Sequence, residues 1–183
     1  MSNRKKRSIT PRLLGRLLDE HARPMALLAR QWCDSPDDIV QEALVKLVQQ
    51  KTPPDNAVAW LYRVVRNLAI SAARRDRRRQ RREASVARMR QGWFMPSDGD
   101  RLDARAAAEA MRALPVEQRE VIVARIWGGL TFEEIAQVMD CSSSAAHRRY
   151  RAGLSALRET LGAPCSENAS TKTQTPSRER SRR

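Results

Sequence analysis

The segment Leu130–Leu154, LTFEEIAQVMDCSSSAAHRRYRAGL, decides how the rest of the chain is read. Thr131 and Glu134 have the T-x-x-E spacing of a capping box, in which side chain and backbone satisfy each other's free amides at a helix start. Phe132, Ile135, Ala136 and Met139 then fall on one helical face. Asp140 and Cys141 break that pattern, and Asp tolerates the left-handed conformation that a tight interhelical turn often needs. Ser142, Ser143 and Ser144 offer capping hydroxyls to a second helix. That helix presents His147, Arg148, Arg149 and Arg151 and keeps Tyr150, Leu154 and Leu157 for packing. A short helix bracing a longer basic one is the geometry of a helix-turn-helix, which places its second helix in a DNA major groove. A helical hairpin with a solvated basic face has the same local pattern, so the remainder of the chain must separate the two.

Composition favours a polyanionic partner. The net charge is +14 and the pI about 11.1, and 30 of the 35 basic residues are Arg. Arg forks match phosphates and guanine edges in a way Lys does not. Leu, Ala, Arg, Glu and Gln dominate; all are good helix formers, and alternating β-branched runs are nearly absent. The expected class is therefore all-α: two small helical domains joined by a flexible linker, the second containing the helix-turn-helix. No apolar run approaches the ~20 residues that span a bilayer, so no membrane insertion is expected. The basic start MSNRKKRSIT lacks the apolar stretch of a secretory signal. Cys33, Cys141 and Cys165 are widely spaced, with no CxxC and no zinc spacing, as suits a reduced cytoplasmic protein. His21 and His147 have no metal-ligand companions. No phosphate-cradling Gly loop, nucleophile elbow or HExxH is present. No catalytic residue, metal or cofactor is expected.

Punctuation along the chain divides it. Residues 1–9 are polar and basic. Thr10-Pro11 opens a helix striped by Leu13, Leu14, Leu17 and Leu18, and Pro24 is expected to kink or restart it. Ser35-Pro36-Asp37-Asp38 opens the next, with Ser35 as the expected capping residue, Pro in the first turn and two carboxylates at the positive helix end. That helix is expected to bury Ile39, Ala43, Leu44, Leu47 and Val48. Pro53-Pro54 stops it, and Asp55 or Asn56 caps a third helix running through Trp60, Leu61, Val64, Leu68 and Ala72. Residues 91–108 carry Gly and Pro without helical period and read as a linker, with a second helical unit from about Asp103. Leu114-Pro115 marks a break, and Val116–Trp127 is a helix ended by Gly128-Gly129. Beyond Gly162 the chain is too polar to bury a core. The expected divisions are 1–90, a linker 91–108, a second domain 109–161 and a disordered tail 162–183.

Two charge patterns stand out. Arg74–Arg82 places seven Arg in nine residues. On a helix their mutual repulsion is costly, and a phosphate backbone supplies the missing counter-charge. Asp38, Gln41 and Glu42 share one helical face. In so basic a chain, a compact acidic patch suggests a partner other than DNA, although helix capping and solvation also explain it. Trp60 suits core filling, and Asn67 either reaches a base or sits exposed.

Taken in order, these pieces resemble a bacterial RNA polymerase sigma factor of the extracytoplasmic-function group, in the sigma-70 family, over residues 11–161. DDIVQEALVKLV resembles region 2.2, which docks on the polymerase. AWLYRVVRNLAISAARRDRRR is similar to regions 2.3 and 2.4, which melt and read the −10 element. LPVEQREVIVARIWGGLTFEEIAQVMDCSSSAAHRRYRAGLSALRETL is similar to region 4, which reads the −35 element. The family often has Asp where Ser71 stands, Gly where Asp140 stands and Thr where Ala145 stands. The resemblance implies a cytoplasmic, non-catalytic protein that binds core RNA polymerase and promoter DNA, with an anti-sigma factor as a further candidate partner. It implies that Asp38, Gln41 and Glu42 contact polymerase. It assigns Asn56, Trp60, Asn67, Arg74, Arg75 and Arg78 to the −10 element, and Ser144, His147, Arg148 and Arg149 to the −35 element. The alternative is a stand-alone helix-turn-helix regulator. A serine recombinase would need strands that the first 90 residues lack, and an RNA-binding module would need stacking aromatics.

Overall fold

The computed structural model describes residues 9–82 and 101–162. The basic leader 1–8, residues 83–100 and the tail from Ala163 lie outside the described residues, and with them most of the expected linker and disordered tail. The regular structure of the described residues is all helical, without strands.

Three helices form the first unit. Helix α1, Pro11–Ala29, is capped by Thr10, whose Oγ1 accepts from the Leu13 amide at 3.2 Å. It continues through Pro24 instead of restarting there. The missing amide costs one backbone hydrogen bond, and burial of the flanking Met25 and Leu28 offsets it. Helix α2, Pro36–Val48, has Pro in its first turn with Asp37 and Asp38, as expected, but Ser35 makes no side-chain cap. Ile39, Val40, Ala43, Leu44 and Leu47 are buried. Val48 is exposed instead of buried, because it falls on the outer face with Val45. Helix α3, Ala57–Arg82, is capped by Asn56, whose Oδ1 accepts from the Ala59 amide at 3.0 Å. Its inner face is Leu61, Tyr62, Val65, Ala69 and Ala73.

The second unit opens with α4, Arg101–Ala113. Residues 101–108, expected as linker, are therefore helical; the run of Ala after Leu102 favours it. Helix α5, Val116–Ile122, passes into a π-helical turn, Val123–Trp127. Gly129, at φ +68°, reverses the chain into α6, Phe132–Met139. Helix α7, Ser143–Gly162, crosses α5 at Gly153, where a Cβ would sit 2.8 Å from Ile122 Cδ1. A Cβ there would require the end of the Ile122 side chain to shift and Gln118 Cβ, 3.3 Å away, to give slightly.

The units do not keep separate cores. Leu61, Tyr62 and Val65 of the first belong to one buried cluster with Val121, Ile122 and Leu130 of the second. Contacts run from α3 to α6 and from α1 to the π-helical turn. Sequence periodicity identifies apolar faces but not which faces meet, so two small cores were the natural expectation.

Candidate DNA and partner interfaces

The outer face of α2 carries Asp38, Gln41 and Glu42, all exposed and about one turn apart. The structure adds Val45 and Val48 to that face, each 53% exposed. Glu42 pairs with Lys46 at 3.3 Å. An apolar centre edged by carboxylates and amides suits a protein partner better than a solvated face does. Beside it, an open cleft of about 430 Å³ lies between α2 and α3, lined by Asp38, Glu42, Arg75, Asp76 and Arg79 among others. Cys33 also borders it. Burial pushes that thiol's pKa up, which keeps it protonated and unreactive.

Helix α3 turns a second face outward. At roughly 100° per residue, Trp60, Arg63, Asn67, Arg74 and Arg78 fall within one stripe. Arg63, Asn67, Arg74 and Arg78 are exposed, while Trp60 is partly buried against the core. Trp60 thus fills space and borders the stripe at once. Arg75 is exposed but lies off this stripe, in the cleft with the carboxylates of α2. Arg63, which the sequence reading passed over, lies between Trp60 and Asn67. Its signal was its spacing, three residues after Trp60 and four before Asn67. Asn56 stands at the head of the helix, and its Nδ2 donates to Glu134 Oε1 of α6.

The third face is the helix-turn-helix. Its capping box is complete: Glu134 Oε2 accepts from the Thr131 amide at 2.7 Å, and Thr131 Oγ1 accepts from the Glu134 amide at 3.2 Å. Asp140 takes φ 53°, ψ 54°, the left-handed conformation. The Ser142 hydroxyl caps α7 by accepting from the Ala145 amide at 3.1 Å. Hydrogen bonds from its own backbone amide, then from the Thr131 and Ser143 hydroxyls, hold the Glu133 carboxyl below its ordinary pKa. Phe132 wedges the two helices together. Its ring meets His147 edge-on at 5.0 Å and Tyr150 at 5.5 Å, with the Arg125 guanidinium 5.1 Å from its centre.

The exposed stripe of α7 is Ser144, His147, Arg148, Arg151, Ser155 and Arg158. Arg149 is half-buried, roughly 100° round the helix from Arg148. Consecutive basic residues cannot all face one groove. The structure brings Ser144, His147 and Arg148 together and sets Arg149 on the flank. Arg151 lies on the same stripe, as the sequence indicates, and Arg158 joins it.

A buried polar constellation, invisible in the sequence reading, joins the units. Glu120 of α5 is fully buried. Its Oε1 accepts from Trp32 Nε1 at 2.7 Å and from Arg66 Nε at 2.9 Å, and its Oε2 accepts from Arg66 Nη2 at 3.2 Å. The signal was a charge on an apolar stripe, since Val116, Glu120, Val123 and Ala124 share one face. Among the described residues no three His, Cys, Asp or Glu are grouped to hold a metal ion, and no helix is long and apolar enough to cross a membrane.

Two families match the chain, Sigma-70 region 2 over residues 17–79 and Sigma-70 region 4 over residues 104–157. It is 30% identical over 136 residues to the ECF RNA polymerase sigma factor EcfG of Rhodopseudomonas palustris, covering 71% of this chain and 75% of that protein. It is 26% identical over 129 residues to the RNA polymerase sigma factor CarQ of Myxococcus xanthus, covering 69% and 74%. The fold is that of the sigma factor RpoE from Bartonella quintana, solved with the anti-sigma factor NepR. The TM-score is 0.66 at 22% identity, over 85% of this chain and 99% of that one. CnrH, solved with the cytosolic domain of CnrY, gives a TM-score of 0.57 at 25% identity over 85% and 91%. Two sigma regions in order, on the helices that carry the acidic and basic faces, show that the chain belongs to the extracytoplasmic-function sigma factors of the sigma-70 family.

Proposed function

We propose that the chain docks on core RNA polymerase through the outer face of α2 and reads two promoter elements, one with α3 and one with α7. The single observation behind this reading is the separation of faces. An acidic and apolar surface stands on α2, and Arg-bearing stripes stand on α3 and α7. The region 2 unit, within residues 1–90, takes polymerase and the −10 element; the region 4 unit, within 109–161, takes the −35 element. Residues 91–108 join the two, their last part being the start of α4. The polymerase supplies the catalysis and this chain none, so its place of action is the cytoplasm.

On α3, Asn56 and Asn67 hold an unstacked base beside Trp60, and Arg63, Arg74 and Arg78 hold phosphates. Unstacking costs a few kcal/mol, which these contacts offset. Arg75 belongs instead to the cleft beside the polymerase face. On α7, Ser144, His147 and Arg148 face the groove, with Arg151 and Arg158 along the same line. The neighbour RpoE, solved with the anti-sigma factor NepR, supports such a protein as a further partner.

The deciding experiment is transcription in vitro. The purified chain with core polymerase should initiate at a defined set of promoters, and neither should do so alone. Tight binding of the chain by itself to palindromic duplex DNA would favour the stand-alone regulator.

Arg148→Ala should weaken binding to the upstream element by about 1–3 kcal/mol, the usual worth of a bidentate base contact. Binding by fluorescence anisotropy to the element and to scrambled duplexes measures it. An equal loss on every sequence would show that Arg148 holds a phosphate. Arg149→Ala, on the flank, should cost less than Arg148→Ala on the cognate element.

A further inference from the structure

The outward stripe of α3 is not uniformly charged. Arg63 stands toward one end and Arg74 and Arg78 toward the other, with Asn67 and Ser71 between them. At roughly 100° per residue these side chains fall within about 80° of the helix circumference. Ser71 alone among them has no role in the reading given above. The one carboxylate of α3, Asp76, lines the cleft beside α2 instead.

Both central residues are neutral and exposed, and neither side chain makes a hydrogen bond among the described residues. The contrast is with Thr160 of α7, whose hydroxyl donates to the Ala156 carbonyl at 2.9 Å. Serine is also a weaker choice for the helix. Ala forms helix better, and a hydroxyl within a helix competes for backbone groups. Ala72 and Ala73 follow directly. At an exposed position that neither caps nor packs, folding gives no reason for a serine.

Charge divides the labour along the stripe. Arginines hold phosphates, which fix register but carry no sequence. A neutral amide or hydroxyl adds little attraction to a polyanion, yet it can match the donors and acceptors of a base edge. Asn67 and Ser71 are one turn apart, about 6 Å along the helix at 1.5 Å per residue. Successive nucleotides of a strand rise about 3.4 Å, so the two side chains span more than one of them.

We propose that Ser71 is a specificity-determining residue for the downstream element, reading a base other than the one held by Asn67, between arginines that hold the flanking phosphates. This rests on the reading of α3 as the −10 face.

The test is transcription by the full chain with core polymerase from a promoter library randomised across the downstream element. Sequencing the transcripts gives the base preference at each position. Ser71→Ala should flatten the preference at one position by about two- to tenfold, the range of a single net hydrogen bond, and leave the others unchanged. Asn67→Ala should flatten a different position. Ser71→Asp, which offers acceptors only, should move the preference at the Ser71 position to cytosine, whose N4 amine donates. Because Ala favours the helix, Ser71→Ala should keep or raise the melting temperature, so unfolding does not mimic the result. A loss equal on every sequence makes Ser71 a phosphate contact and overturns the proposal. So does flattening at the position that Asn67→Ala affects, or a Ser71→Asp profile identical to that of the wild type. If Asn67→Ala alters the profile and Ser71→Ala does not, this inference fails alone. If the wild-type holoenzyme selects no sequence, the reading of α3 fails and the inference falls with it.

Discussion

Replacing Asp38 and Glu42 together by lysine should abolish co-purification with core RNA polymerase while leaving the helix content of the chain intact. Both residues are exposed on α2 and neither contributes to the buried cluster. The cost to folding is small and can be itemised. Asp38 in the first turn loses a favourable helix-dipole contact of about 0.3–1 kcal/mol. Glu42 loses its exposed pair with Lys46, about 0.3–0.5 kcal/mol. Together these lower the melting temperature by about 2–4 °C. The cost to docking is larger, because like charges placed across an interface oppose it by several kcal/mol, on the order of a hundredfold or more in affinity. Lysines here would also stand beside Arg75 and Arg79 in the cleft. Val45→Asp is the second arm, since Val45 lies on the same face and already meets solvent. A pull-down with immobilised core enzyme measures both. Undiminished binding of both variants would remove α2 from the docking surface.

Local chemistry made much of this legible. The capping box at Thr131 and Glu134, the left-handed Asp140 and the Ser142 cap each depend on residues within four positions, and each stands as the spacing indicates. Asp140 holds a left-handed angle that Asp tolerates and that glycine adopts at no steric cost. Phase along a helix was legible in principle but easy to misjudge. Arg149 follows Arg148 in sequence and leaves the exposed stripe in space, and Arg75 does the same after Arg74. Val48 looks like part of the α2 apolar stripe until its position beside Val45 is drawn on the helix.

What could not be read was the junction of the units. Trp32 and Glu120 are 88 positions apart, and Arg66 and Glu120 are 54 apart. No local rule pairs them. A lone Glu on the α5 apolar stripe announces a buried partner without naming it. Two separate cores were the reasonable expectation because each unit's apolar faces are complete enough to suggest one, and the shared cluster appears only when α3 meets α5 and α6.

Inserting about half a turn of DNA between the two promoter elements should collapse transcription driven by this chain, although each element stays intact. Half a turn is about 5 base pairs, which moves one element roughly 17 Å along the axis at about 3.4 Å per pair and carries it to the far side of the duplex. Neither face of the protein can follow it, because both units would be docked on one polymerase, which fixes their separation and their rotation about the DNA. The loss should be at least tenfold, since it removes one whole recognition surface and not a single contact. A promoter series whose spacer grows one base pair at a time, transcribed in vitro with the reconstituted holoenzyme, measures it. The series should extend to a full turn, about 10–10.5 base pairs. Restoring the rotational phase at a full turn leaves the element displaced by roughly 34 Å, so a rigid holoenzyme stays inactive there. Recovery at a full turn would mean that the units act through a flexible connection, and a flat response across the series would mean that they bind independently.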